Sequence, residues 1–139
     1  MVLVDTSVWI EAARRKGAVE VKVALESLLE MYETVVCPPV WLEVLGGARR
    51  QDRRRLQTYF EALPYCRLHH DCWQEAVQLS WRLRDTGHTI PWNDLLIATV
   101  ALHNDHRVYA VDAHFDLMAE TIGLRLYRPG YGGRYTPEK

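Results

Sequence analysis

The sequence predicts an α/β domain, a three-layer α/β/α sandwich with a mostly parallel central sheet of about five strands. Three observations predict it. Short apolar runs of strand length alternate with longer stretches of helical period along the whole chain. Helical stretches separate the strand candidates, which makes parallel crossovers the ordinary connection between them. One stretch, "DLLIATVAL" at 94–102, is apolar all round, as suits a helix buried on every side.

Taken in order, residues 2–5 read as a buried strand that ends on Asp5, and a helix runs from Ser7 to about Arg15. In the next helix Val21, Ala24, Leu25, Leu28 and Leu29 recur at i, i+3, i+4, i+7 and i+8. "TVVC" at 34–37 is the second strand. Pro38 and Pro39 start a short helix that Gly46 and Gly47 end. Leu56, Tyr59, Phe60 and Leu63 mark one face of a fourth helix, stopped by Pro64, and "YCRLH" at 65–69 is a weak strand candidate. Trp73, Ala76, Val77, Ser80 and Trp81 mark a further helix closed by Gly87. After the apolar helix, "RVYAV" at 107–111 is a strand leading to Asp112, a last helix spans about 115–122, and "LRLY" at 124–127 closes the sheet. Residues 1–128 are expected to form one domain. The turn-rich residues 129–139 are expected as a loosely ordered tail.

A chain of 139 residues can bury a substantial core without disulfides or a structural metal. Its 48% hydrophobic and 25% charged residues are ordinary for a soluble protein. No apolar stretch is long enough for a bilayer and the N-terminus lacks a signal-peptide layout, so a cytoplasmic protein is expected, with no membrane partner. Three cysteines in no C-x-x-C pattern point to reduced thiols rather than a zinc site. A net charge of −1 gives no general attraction for nucleic acid, so phosphate binding needs a local patch or a bound cation.

The acids carry the chemistry. Ligands of open parallel sheets bind beyond the carboxyl ends of strands, where strand order reverses. Asp5 and Asp112 both follow strands, and share one crevice if those strands are neighbours. Glu43, in "VWLEVL", has apolar residues on both sides, on a helix expected to be buried all round. Asp94 stands at the mouth of the most apolar helix. Each has a plainer role open to it: Asn93 or Asp94 as a helix N-cap, Asp112 as a turn former, Asp5 as the cap that orients Thr6 and Ser7. Gathered together, carboxylates repel by ~4 kcal/mol per pair at about 4 Å and an effective dielectric near 20. With no lysine between Lys22 and Lys139, a divalent cation is the simplest counter-charge. Oxygen ligands select Mg²⁺ or Mn²⁺ over zinc.

"VDTSVWIE", "VWLEVLGG", "IPWNDLLIATVAL" and "VYAVDAHFD", in this order and spacing, resemble the PIN-domain ribonucleases, most of all the VapC toxins of toxin–antitoxin pairs. The resemblance covers residues 2 to about 127. It implies a PIN-like nuclease domain over 1–128 and a catalytic, metal-binding quartet of Asp5, Glu43, Asp94 and Asp112. Asp116, Thr6, Ser7 and Asn93 are accessory, and Ala110 stands where the family often carries a hydroxyl. It further implies a Mg²⁺- or Mn²⁺-dependent endoribonuclease, the toxin of a toxin–antitoxin pair, with an RNA substrate, a small antitoxin over the acidic crevice, and a homodimer.

"RRQDRRR" at 49–55 supplies Arg49, Arg50, Arg53, Arg54 and Arg55, which suit either a phosphate-tracking patch or a solvated helix face. Trp92, expected in a loop after Pro91, is a candidate for base stacking, whereas Trp9 and Trp41 better suit the core. Among other α/β enzymes with acids at strand ends, a receiver domain needs a nearby lysine that is missing. A haloacid-dehalogenase-type phosphatase needs Asp where this chain has Ser7. The remaining alternatives are a non-catalytic RNA- or protein-binding PIN-like module, and a PIN nuclease of RNA processing outside a toxin–antitoxin system.

Overall fold

The computed structural model describes residues 1–138. Strand β1 (Val2–Val4) lies at the centre of a three-stranded parallel sheet of order β2-β1-β3, with β2 at Thr34–Val35 and β3 at Arg107–Tyr109. All three residues of β1 are fully buried, which is why the run has no polar alternation. The predicted outer strands are reduced to single parallel bridges, Val36 with Tyr65 on one edge and Val108 with Leu126 on the other. The α/β class is therefore as expected, with five chain segments across the sheet but regular pairing only among the inner three.

Helices α1 (Thr6–Ala13) and α2 (Val19–Glu30) connect β1 to β2. Helices α3 (Pro38–Gly46), α4 (Arg53–Glu61), α5 (Asp71–Asp85) and α6 (Trp92–His103) lead to β3, and α7 (Ala113–Ile122) follows it. From β1 the chain moves to one neighbour, and from β2 it crosses to the other side. By the right-handed rule for parallel crossovers the two helix groups belong on opposite faces, and the order reverses between β1 and β3. Helix α6 buries Leu95, Ile97, Ala98, Thr99, Val100 and Ala101, as its sequence predicts. Trp9 packs on Phe60 at 4.8 Å between ring centroids, and Trp41 on Phe60 at 5.8 Å, so both tryptophans join the core. Cys37, Cys66 and Cys72 are buried free thiols. Among the described residues no helix is long and apolar enough to cross a membrane.

The expectation that the Glu43 helix is buried on every side is overturned. Helices α1, α4 and α6 pack against α3, but nothing covers its Leu42 side, and Leu42 is 71% exposed. The tail, for which the sequence suggests loose order, makes specific contacts over its described part. A 3-10 turn at Tyr131–Gly133 lies against α2, the Tyr127 and Tyr135 rings stack, and the Arg107 guanidinium donates to the Thr136 carbonyl at 3.3 Å. Gly133 has φ +93°, and a Cβ there would stand 2.7 Å from the Glu20 carbonyl oxygen, whereas Gly132, at φ +66°, has open space around it.

That contrast is testable. Gly133→Ala adds a backbone clash to a left-handed conformation, and is expected to cost about 2 kcal/mol or more in thermal unfolding. Gly132→Ala is expected to cost about 1 kcal/mol, for its φ alone. Equal and negligible effects at both positions would show that the tail does not depend on its seat on α2.

Candidate active site

The site forms where β1 and β3 end side by side. The Asp5 amide donates to the Tyr109 carbonyl at 2.9 Å, extending the β1–β3 ladder by one bond, and Asp5 is then the N-cap of α1. Its Oδ2 accepts from the Ser7 amide at 3.0 Å and from the Ser7 hydroxyl at 2.6 Å. Its Oδ1 is buried and has no hydrogen-bond partner among the described residues. Asp5 is only 3% exposed. Burial pushes its carboxyl up to about 6, against the pull of the Ser7 bonds, and the charges of Asp94 and Glu43 push it further the same way. Cap and charged cluster are thus both true of Asp5.

Asp94 lies in the first turn of α6. The capping position is taken by Pro91, which makes no side-chain cap bond, so neither Asn93 nor Asp94 is the N-cap that the sequence allows. The Asp94 side chain is 16% exposed, and its Oδ2 lies 2.8 Å from His114 Nδ1. Partial burial raises its carboxyl above the usual range, opposed by the His114 bond and aided by the Asp112 charge. Asp112 is the N-cap of α7 and its Oδ1 accepts from the His114 amide at 2.9 Å. The same oxygen is 3.3 Å from His114 Nδ1. One donor atom each from Asp94, Asp112 and His114 lie within 4.8 Å of one another.

Glu43, on α3, lies near Asp5 and outside the close group of three donors. Its residue is exposed, but Oε1 accepts from the Thr6 hydroxyl at 3.0 Å and from the Asn93 amide nitrogen at short range. Thr6 and Asn93, expected as accessory residues, therefore hold a carboxylate in place. Ser7 ties the two strand ends together, because its hydroxyl also accepts from the Val111 amide at 3.1 Å. Asp116 stands apart: it pairs with Arg128 at 2.7 Å and is not in the close donor group. Trp92 is the first residue of α6 rather than a loop residue. It is 64% exposed, and the Arg84 guanidinium lies 5.7 Å from its ring centroid. The arginines of 49–55 are exposed beside α3, two of them, Arg49 and Arg55, paired with Asp52.

His114 is the site residue that sequence reasoning misses. A signal for it exists in "VDAHFD": a histidine two positions after a helix-capping aspartate sits in the first turn, on the capping carboxylate.

The donor set fits a hard divalent cation. Its donors are mainly carboxylate oxygens, one of them buried and unpaired, and among the described residues no lysine pairs with them.

The chain matches the PIN domain family over residues 2–120. Ribonuclease VapC11 of Mycobacterium tuberculosis is 31% identical over 131 residues, spanning 90% of this chain and 96% of that protein. Among solved structures, VapBC2 from Rickettsia felis bound to a DNA fragment from their promoter is similar with a TM-score of 0.74 at 18% identity, over 91% of this chain and 98% of that one. A toxin–antitoxin complex from Klebsiella pneumoniae gives 0.67 at 19% identity, over 89% and 95%. The structural likenesses bear on the fold.

The electrostatics predict a pH effect on the metal-free protein. An acid whose folded value is raised from 3.8 to about 6 destabilises the fold once ionised. The penalty is absent below about pH 4, grows through pH 4–6, and reaches on the order of 3 kcal/mol at pH 7. Asp5→Asn removes it while keeping an oxygen for the Ser7 amide. In EDTA, the variant is expected to be more stable than wild type by about 1–3 kcal/mol at pH 7 and equal to it near pH 4. A variant that is less stable at both pH values would make Asp5 a cap alone.

Proposed function

The chain belongs to the PIN-domain family, and from that premise we propose that it is a Mg²⁺- or Mn²⁺-dependent endoribonuclease, the toxin of a toxin–antitoxin pair. The observation that carries this reading is the gathering of acids at the strand ends: Asp94 and Glu43 lie near enough to Asp5 for their charges to act on it, Asp112 does the same to Asp94, and Asp5 keeps one buried, unpaired oxygen. The ribonuclease name of the 31%-identical relative supports the reaction. The likeness to a chain of the Klebsiella toxin–antitoxin complex supports a partner protein.

On this reading residues 1–128 are the nuclease domain, and Asp5, Asp94, Asp112 and Glu43 are its catalytic acids. When bound, Mg²⁺ or Mn²⁺ supplies neutralisation of charge developing on the scissile phosphate and acidifies the attacking water. Asp94 and Asp112 would hold the cation together with Asp5. Glu43 takes the water's proton. Its Oε1 is occupied by Thr6 and Asn93, which fixes the carboxylate and leaves Oε2 to act as base. Water attacks phosphorus, the bond to the 3′ oxygen breaks, and that oxygen takes a proton from solvent as it leaves. The products are a 5′-phosphate and a 3′-hydroxyl, with no role for the 2′-hydroxyl as nucleophile.

RNA is steered to the crevice by Arg49, Arg50, Arg53, Arg54 and Arg55, at the start of α4 and beside the Glu43 helix. Their pairs with Asp52 are solvent-exposed and weak enough to exchange for phosphate. Trp92 offers an exposed ring for a base. A small antitoxin covers the acidic crevice, and the chain pairs as a homodimer. Trp73, Val77 and Trp81, spaced by four on α5 and each about half exposed or more, support an apolar contact surface. The enzyme acts in the cytoplasm, where RNA and antitoxin are made.

Nuclease-free protein incubated with structured RNA is expected to cut it with Mg²⁺ or Mn²⁺ and not in EDTA. Asp94→Asn should lose on the order of a hundredfold or more in kcat. End analysis should give 5′-phosphates. Cleavage undiminished in chelator, or 2′,3′-cyclic termini as the main product, would overturn the mechanism. Metal binding without any cleavage would favour the non-catalytic module.

The arginine run is tested separately, in an Asp94→Asn background that leaves RNA intact. Replacing Arg49, Arg50, Arg53 and Arg54 with Gln is expected to weaken RNA binding. The slope of log K against log salt should flatten by about 0.7 for each phosphate that is no longer neutralised. An unchanged slope would leave these arginines a solvated face.

A further inference from the structure

We propose that His114 is a ligand of the metal centre, through Nδ1, so that the site presents a nitrogen among its oxygens. The inference rests on the metal-dependent reading above and adds to its four acids a donor of a different chemical kind.

Three observations carry it. His114 Nδ1 is 2.8 Å from Asp94 Oδ2 and 3.3 Å from Asp112 Oδ1. Adjacent ligands of an octahedral ion with bonds of about 2.1 Å are about 3.0 Å apart, so these separations bracket the edge of such an octahedron. Second, a hydrogen bond does not account for the whole arrangement. A single proton on Nδ1 serves one carboxylate well, whereas here one nitrogen faces two carboxylates, and a divalent cation satisfies all three groups together. Third, the ring is aimed by the backbone. The His114 amide donates to the same Asp112 Oδ1 that its ring nitrogen approaches, so the α7 cap fixes the two donors on one side of the helix start. Asp5, whose Oδ1 is buried and unpaired, lies near enough to Asp94 for the two charges to interact.

The chemical consequence is a change in selectivity. An all-oxygen site suits Mg²⁺ and Mn²⁺, whereas imidazole adds affinity for Ni²⁺ and its neighbours among the later transition metals. His114 should therefore contribute much to Ni²⁺ binding and little to Mg²⁺ binding.

The probe is Mn²⁺ alone, without RNA. Pulsed electron paramagnetic resonance of the wild-type protein loaded with Mn²⁺ is expected to show hyperfine coupling to a directly bound ¹⁴N, and His114→Asn and His114→Gln are expected to lose it. Calorimetric titrations should show at least a tenfold loss of Ni²⁺ affinity in both variants, with Mg²⁺ affinity changed less than threefold. Bound Mn²⁺ without ¹⁴N coupling in the wild type, or coupling that persists in both variants, would overturn the role of His114 and leave the carboxylate site standing. Wild-type protein that binds Mn²⁺ no better than Asp94→Asn would overturn the metal site itself.

Discussion

The site depends on the parallel pairing of β1 with β3. Val4 lies opposite Tyr109, and the Asp5 amide takes the next bond of the ladder. That pairing brings the carboxyl end of the central strand beside the turn leading to Asp112, at the place where strand order reverses. The Ser7 hydroxyl then joins the two ends, donating to Asp5 and accepting from the Val111 amide. A slip of β3 by one residue would exchange its two buried faces, misplace Val108 and Tyr109 in the packing, and break this link. The same buried pairing that stabilises the sheet thus fixes the positions of the acids.

Much of this is legible in the sequence, and for physical reasons. Asp5 and Asp94 are readable because a carboxylate beside a long apolar run is costly without a purpose, and both are in fact buried or partly buried. The helix positions follow from periodicity and from Pro38, Pro39 and Gly87, the last at φ +84° as a helix-ending turn requires. Strand order is different. No local pattern states that β1 sits between β2 and β3, because neighbours in a parallel sheet are separated by dozens of residues. The exposure of Glu43 is hidden for a related reason: Leu42 and Val44 look like core residues, yet the Leu42 side of α3 faces open solvent. His114 is hidden because a single histidine carries no pattern. It gains meaning only when α6 brings Asp94 to within 2.8 Å of it, across 20 residues of chain.

The hydroxyl and amide side chains around the acids have a common task. Thr6 and Asn93 donate to one oxygen of Glu43, and Ser7 donates to one oxygen of Asp5. In each case one carboxylate oxygen is held by the chain while the other makes no such bond. Ala110 is consistent with this division of labour. Ala110 brings no hydroxyl to this junction, and Ser7 supplies the oxygen that receives the neighbouring Val111 amide. The link between the strand ends is therefore carried from the β1 side.

Mutually repelling carboxylates must also be kept together before any cation arrives, and helix placement does much of this. Asp5 caps α1, Asp112 caps α7, and Asp94 lies in the first turn of α6, so each faces the positive end of a helix dipole. Such an interaction is worth about 0.3–1 kcal/mol at exposed sites and up to ~2 kcal/mol when partly buried, which offsets repulsion without neutralising the charge. A lysine or arginine would have cancelled the charge and closed the site to a divalent ion. Glu43 has no helix N-terminus, since it lies in the later part of α3. It is also the acid with two side-chain donors on one oxygen, from α1 and from the first turn of α6. Asp5 and Glu43 are thus held by neutral dipoles of the backbone or of side chains, Asp94 and Asp112 share the His114 ring as well, and among the described residues no lysine or arginine pairs with any of the four.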